Sequence, residues 1–336
     1  MTTVVYVSNA DSGDVSVLRL DERSGALGPL QTVEVGGMVM PMAVSPDRRF
    51  LYAARRSDPM AVVSFGIDQT DGRLTPLSEA PLPASMAYIA TDRSGRFLFS
   101  ASYPGSLIAV SAIGADGTVQ PAHQVMPTAP HAHAIRADAS NGFVFATSLG
   151  GGHLMQLRFD SASGMLTSND PRQVDVRPGA GPRHLEFHTN GRFVYLLNEL
   201  DASLDVFLLD SANGTLTHEQ TIDTLPPGFG GEPWAADLHL SPDGRFLYSS
   251  ERRSSTLAAF RVDASSGQLA LIGHYATQAQ PRGFAIDPSG RFALVAGEQS
   301  NCVSAHAIDP ASGALTALHE TAVGRGPNWI EIIELP

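Results

Sequence analysis

The stretch LEFHTNGRFVYLLN, residues 185–198, reads as two short strands joined by a polar turn. Apolar residues alternate on both sides of Thr-Asn-Gly, the period of a half-buried strand, and Asn-Gly is turn chemistry. The same pattern recurs as MAVSPDRRFLYAAR (42–55), IATDRSGRFLFSAS (89–102), IRADASNGFVFATS (135–148), LHLSPDGRFLYSSE (238–251) and FAIDPSGRFALVAG (284–297). Its aromatic anchors are Phe50, Phe97, Phe143, Phe193, Phe246 and Phe292, spaced 47, 46, 50, 53 and 46 residues apart. A second signature follows, an apolar strand ending in Asp with a Gly-containing turn, as in LRFDSASGML (157–166) and FRVDASSGQL (260–269). A seventh copy opens the chain (4–30) without its first strand, and GPNWIEIIEL (326–335) at the other end supplies one. Repeats of this length with about four strands each are propeller blades. The chain is therefore expected to be all-β: a seven-bladed β-propeller of four-stranded antiparallel blades, one domain over 1–336. Its C-terminal strand should pair with the N-terminal blade and close the ring.

The chain has 336 residues, a formal charge of −12, and arginine as its only basic side chain apart from histidine. An acidic chain is a poor nucleic-acid ligand. The absence of lysine excludes a phosphate-binding P-loop lysine, Schiff-base chemistry and a Ser-Lys pair. No apolar run approaches the length of a membrane-spanning helix. The N-terminus reads as a first strand, not a leader, and a lone cysteine, Cys302, suits a reducing compartment, so a cytoplasmic location is expected.

Comparing blades separates scaffold from candidate function. Gly-Arg-Phe recurs and is scaffold; His188 falls where other blades carry Asp or Ser and is read as a turn residue. Ten residues before the anchor the blades carry Asn328, Met40, Ala87, His133, Arg183, Ala236 and Arg282. Six residues after it they carry Ala10, Arg56, Tyr103, Leu149, Glu199, Arg252 and Glu298. The start of a blade's first strand and the end of its second meet at one mouth of the axial channel. Arg183 and Glu199 lie symmetrically about Gly191, and Arg282 and Glu298 about Gly290, so each pair is expected to face across its hairpin. His184 and Asp237 follow one position further in. Arginines converging from several blades call for an anion between them. His131 and His133 of PHAHA (130–134) should share one side of a strand, a spacing metal sites use. No third ligand stands out, so neither metal nor cofactor is expected.

The motifs PHAHA, GPRHLEFHTNGRFVYLLNEL, PWAADLHLSPDGRFLY, QPRGF and GRGPNW, in this order, closely resemble the seven-bladed lactonase family typified by propeller-type 6-phosphogluconolactonase. The resemblance runs over essentially the whole chain. It implies hydrolysis of a small anionic sugar lactone, in the first instance 6-phospho-D-glucono-1,5-lactone to 6-phosphogluconate of the pentose phosphate pathway. It also leaves open an unphosphorylated lactone or a muconate-type cycloisomerisation. Motif by motif it places catalytic roles on His133, Arg183 and Glu199, with the later arginines Arg252 and Arg282 matching too. Arg282, Arg252, His184, Asp237 and His131 are expected to bind substrate, and either Glu199 or His133 to be the general base. Glu298 departs from the family pattern, which has an amide there. A non-enzymatic docking platform would instead require an apolar mouth.

Overall fold

The computed structural model describes residues 2–336. Among these, twenty-eight strands form seven four-stranded antiparallel sheets, and the sheets are the blades the repeats mark out. Blade 1 combines Pro327–Leu335 as its inner strand with Thr2–Asn9, Asp14–Leu20 and Leu27–Glu34. Blades 2 to 7 span 39–81, 88–127, 132–175, 182–223, 235–276 and 281–322. The ring closes as expected, with Thr2 opposite Leu335 and Ser8 opposite Trp329.

The anchors show how neighbouring blades lock. A Cβ built on Gly117, Gly164, Gly214, Gly267 or Gly313 would be driven into the ring of Phe50, Phe97, Phe143, Phe193 or Phe246 of the preceding blade. Each of these glycines also sits at positive φ, so the outer turn can press its backbone directly onto the ring. Gly25 against Phe292 and Gly72 against Val4 carry the same contact through the closure. Tyr6, Tyr195 and Tyr248 add hydroxyl hydrogen bonds to the carbonyls of Gly72, Gly267 and Gly313. The apolar cores lie between the sheets, as the cluster joining Phe193, Tyr195 and Val206 of blade 5 to Leu238, Leu247 and Phe260 of blade 6 shows.

One irregularity positions the site. In blade 5 Pro182 pairs with Asn198 but His184 with Leu197, so Arg183 is an extra residue on the inner strand. Blades 1, 2, 4, 6 and 7 carry a one-residue bulge at the same place. A bulge leaves backbone groups unpaired and re-aims a side chain. Hydroxyls on the second strands satisfy those groups: Thr147 accepts from Ala134 N at 2.9 Å and donates to Arg183 O at 2.7 Å. Ser250 accepts from Asp237 N at 3.0 Å, and Ser8 donates to Met40 O at 2.7 Å. The expected pairing of Arg183 with Glu199, and of Arg282 with Glu298, across their hairpins is met by the side chains, which approach to 2.8 and 3.9 Å. Their backbones are not directly opposite: Glu199 N bonds Gly181 O and Glu298 N bonds Gln280 O, two residues before each arginine, and the bulge supplies one residue of that offset.

Candidate active site

The bulges of blades 4, 5 and 7 bring His133, Arg183 and Arg282 to one mouth, where Glu199, Arg252 and Glu298 arrive from the ends of the second strands. At the centre is the Glu199 carboxylate. Its Oε2 accepts from Arg183 Nε at 2.8 Å and from Arg252 Nη2 at 2.9 Å, joining blades 5 and 6. Arg183 Nη1 also donates to Ala236 O and to His184 Nε2, the latter at 3.1 Å. A guanidinium can only donate, so His184 presents a lone pair at Nε2, carries its proton on Nδ1 and donates it to Asp237 Oδ1 at 2.8 Å. The chain Asp237–His184–Arg183–Glu199–Arg252 thus fixes every member's orientation. Arg252 is held further by the carbonyls of Trp234 and Ala235, with its guanidinium 3.8 Å from the Trp234 ring centre.

Electrostatics divides the roles. Burial raises the Glu199 pKa, but Arg183 and Arg252 outweigh it and hold the carboxyl below its ordinary value. Burial, then the Arg183 charge, hold His133 well below the ordinary imidazole range. His133 is neutral, its Nδ1 has no partner among the described residues, and its ring lies 5.1 Å from that of His184. Burial and Arg183 also lower His184 to about 4. Arg282 lies 3.9 Å from Glu298, whose other oxygen accepts from Gln280 at 2.5 Å.

His131 departs from expectation. It lies outside the strand Ala132–Ala137 with φ +64, which breaks the alternation that would have put it beside His133. Its ring stacks on Tyr103 at 4.1 Å between centroids, while His133 meets the edge of the same ring at 6.1 Å. Among the described residues no three His, Cys, Asp or Glu side chains are grouped to hold a metal. His188 is a turn residue, accepting from Asn190 N at 3.0 Å and bonding the Gly244 carbonyl.

Sequence reading missed a second polar tier below the mouth. There the inner strands line a cavity of about 270 Å³ with Tyr88, Arg136, Glu186, His239, Trp329 and Glu331. Arg136 pairs with Glu186 at 2.7 Å, and His239 reaches Asp237 at 3.2 Å. Trp329 donates to Glu331 at 2.9 Å. The signal was the two-residue strand period, which carries His184 on to Glu186, Asp237 to His239 and Trp329 to Glu331.

The family described as "Lactonase, 7-bladed beta-propeller" matches residues 2–332. The chain belongs to the seven-bladed lactonase family. Among its relatives in that family, a 6-phosphogluconolactonase of Pectobacterium carotovorum is 43% identical over 335 residues, covering 100% of both chains. One from Serratia proteamaculans is 43% identical over 99% of each. Among solved structures, the Pseudomonas aeruginosa periplasmic gluconolactonase superposes with a TM-score of 0.94 at 32% identity, covering 100% of both chains. The lactonase fold and the arginine-rich mouth thus occur together in this chain.

Proposed function

We propose that the protein hydrolyses a sugar-acid lactone, with 6-phospho-D-glucono-1,5-lactone as substrate and 6-phosphogluconate as product. The observation that carries this reading is the Glu199 carboxylate clamped by Arg183 and Arg252 beside the neutral, unpartnered His133. The names of the 6-phosphogluconolactonase relatives support the substrate class.

Opening a lactone requires an activated water, a stabilised oxyanion and a proton for the leaving ring oxygen. His133 is the general base: it is neutral, and among the described residues its Nδ1 has no partner. It takes one proton from water as the oxygen adds to the carbonyl carbon. It returns that proton to the ring oxygen as the C–O bond breaks. The acid product then ionises and releases one proton to solvent. Glu199 is a poor base, because two guanidiniums stabilise its ionised form; it holds Arg183 and Arg252 in place. Their fixed charge meets the developing oxyanion without reorganisation, a contribution of about 3–4 kcal/mol where one such donor is removed. Asp237 and His184 position Arg183. Arg282 faces the substrate's anionic end. A cytoplasmic location fits the single free thiol of Cys302.

Arg183→Ala, Glu199→Gln and His133→Ala are each expected to lower kcat/KM by about 100-fold or more while leaving the circular dichroism spectrum native. Near wild-type rates in all three would refute the assignment. Glu298, 3.9 Å from Arg282, favours a second reading, an unphosphorylated lactone, because it offsets part of the positive charge. Rates on phosphorylated and plain gluconolactone separate the two.

A further inference from the structure

The mouth is divided into unlike halves. Blades 4 to 6 hold His133, Arg183, Glu199 and Arg252, all tied into one network apart from His133. The arc through blades 7, 1 and 2 holds Arg282 and Arg56 on its flanks. Between them blade 1 places no charged side chain at either ring position. It carries Ala10 and Asn328, and the Asn328 amide is turned away to donate to the carbonyls of Ser8, Val39 and Gly326. Arg56 follows the strand Phe50–Arg55 and is only partly exposed. Its Nε donates to Ser85 Oγ at 2.9 Å and its Nη1 contacts Met40 Sδ at 2.7 Å. Both partners are neutral, and among the described residues Arg56 forms no salt bridge.

We propose that Arg56 and Arg282 together form the subsite for a phosphate monoester, across the mouth from the catalytic residues. This rests on the lactonase reading above and extends it to Arg56. Three arguments carry it. Two guanidiniums on the blades either side of blade 1, which sets only Ala10 and Asn328 at its ring positions, offer the forked donors that a phosphate accepts. The mouth holds four guanidiniums (Arg56, Arg183, Arg252, Arg282) against the carboxylates of Glu199, Glu298 and Asp237, a formal surplus of one positive charge. A phosphate monoester, at about −1.5 to −2 at neutral pH, supplies the negative charge that surplus calls for. Finally, burial and the charge of Arg282 make Arg56 a costly cation, lowered to about 10, and a bound dianion relieves that cost.

A role for Arg56 in packing alone would need only its bonds to Ser85 and Met40. The test is calorimetric titration of the protein with inorganic phosphate, for wild type, Arg56→Gln and Arg56→Lys. Arg282→Gln serves as an independent variant on the opposite flank. Phosphate should bind the wild type competitively with 6-phosphogluconate. Its affinity should fall by about tenfold or more in each Gln variant, with part recovered in Arg56→Lys. The ratio of kcat/KM for phosphorylated over plain gluconolactone should fall in parallel, chiefly through KM. No phosphate binding by the wild type, or undiminished binding and an unchanged ratio in Arg56→Gln, overturns the subsite. Turnover of neither lactone by the wild type would instead refute the lactonase reading, with the phosphate titration still deciding the subsite.

Discussion

His133 and His184 are both buried imidazoles at one mouth, yet their partners give them different work. His184 spends Nε2 on Arg183 and Nδ1 on Asp237, so it has no nitrogen left for substrate. Among the described residues the Nδ1 of His133 has no partner, and its pKa lies well below the ordinary 6.5. The acid limb of kcat/KM should therefore fall below pH 6.5; a limb at or above that value would point to a different base. The same burial bears on stability. His133 and His184 have lowered folded pKa values, so between the unfolded value of 6.5 and the folded ones the unfolded chain binds more protons. Asp237 acts in the same sense: burial raises its pKa, but His239 and His184 reverse this and hold it below the usual carboxylate range. His239 is raised, chiefly by Asp237 against burial, and opposes the others, its contribution being lost as pH rises. Glu331 opposes them over the same range, so the expectation is read in Glu331→Gln, whose melting temperature should drop as pH falls from about 6.5 to 4, measured by calorimetry; a flat profile there would contradict these assignments.

At the scale of one element, the inner hairpin turn and the pressed outer turn make different demands on glycine. Gly214 has φ +68 and a Cβ there would collide with Phe143, whereas Gly191 has φ +70 with nothing within 4 Å. Gly191→Ala should cost about 1 kcal/mol, for the left-handed backbone alone. Gly214→Ala adds overpacking and should cost about 3 kcal/mol. Chemical denaturation compares the two; equal costs would remove the inter-blade role given to the phenylalanine anchors. The inner strand of blade 1 offers a second test. Burial lifts Glu331 to about 7 from an ordinary 4.5, so it holds a proton longer in the folded protein. Its contribution is fully present below pH 4.5 and lost as pH rises through 7. Glu331→Gln keeps an acceptor for Trp329 and removes the titration, so it should raise the melting temperature at pH 8 and leave it unchanged at pH 4.

Across the whole molecule, closure is a joint made by nine residues at one end of the chain. Pro327–Leu335 is the inner strand of blade 1, with Ile330, Ile333 and Leu335 buried in its cores. Removing 327–336 should abolish cooperative unfolding, because it exposes two blade faces and an inner-strand edge. Thr2 faces Leu335 across the joint, so a circular permutant with the termini linked and the chain opened between blades 3 and 4 should retain both fold and activity. Loss of folding in that permutant would mean that closure depends on chain order, not only on strand pairing.

Blade number, blade boundaries, the mode of closure and the two rings of residues at the mouth were all legible in the sequence. Strand periodicity and turn chemistry are local, and seven copies in one chain permit position-by-position comparison. What remained hidden depends on contacts between blades. A one-residue bulge at Arg183 offsets its backbone from Glu199 while the two side chains still pair. A left-handed residue carried His131 to Tyr103. Glu199 is shared by arginines of two blades, and His184 takes its tautomer from Arg183 beside it and Asp237 of the next blade. Arg56, blade 2's member of the ring, stands on the flank of the arc opposite Arg282. Such contacts join residues 28 to 53 positions apart, and only the assembled blades bring them within hydrogen-bond distance.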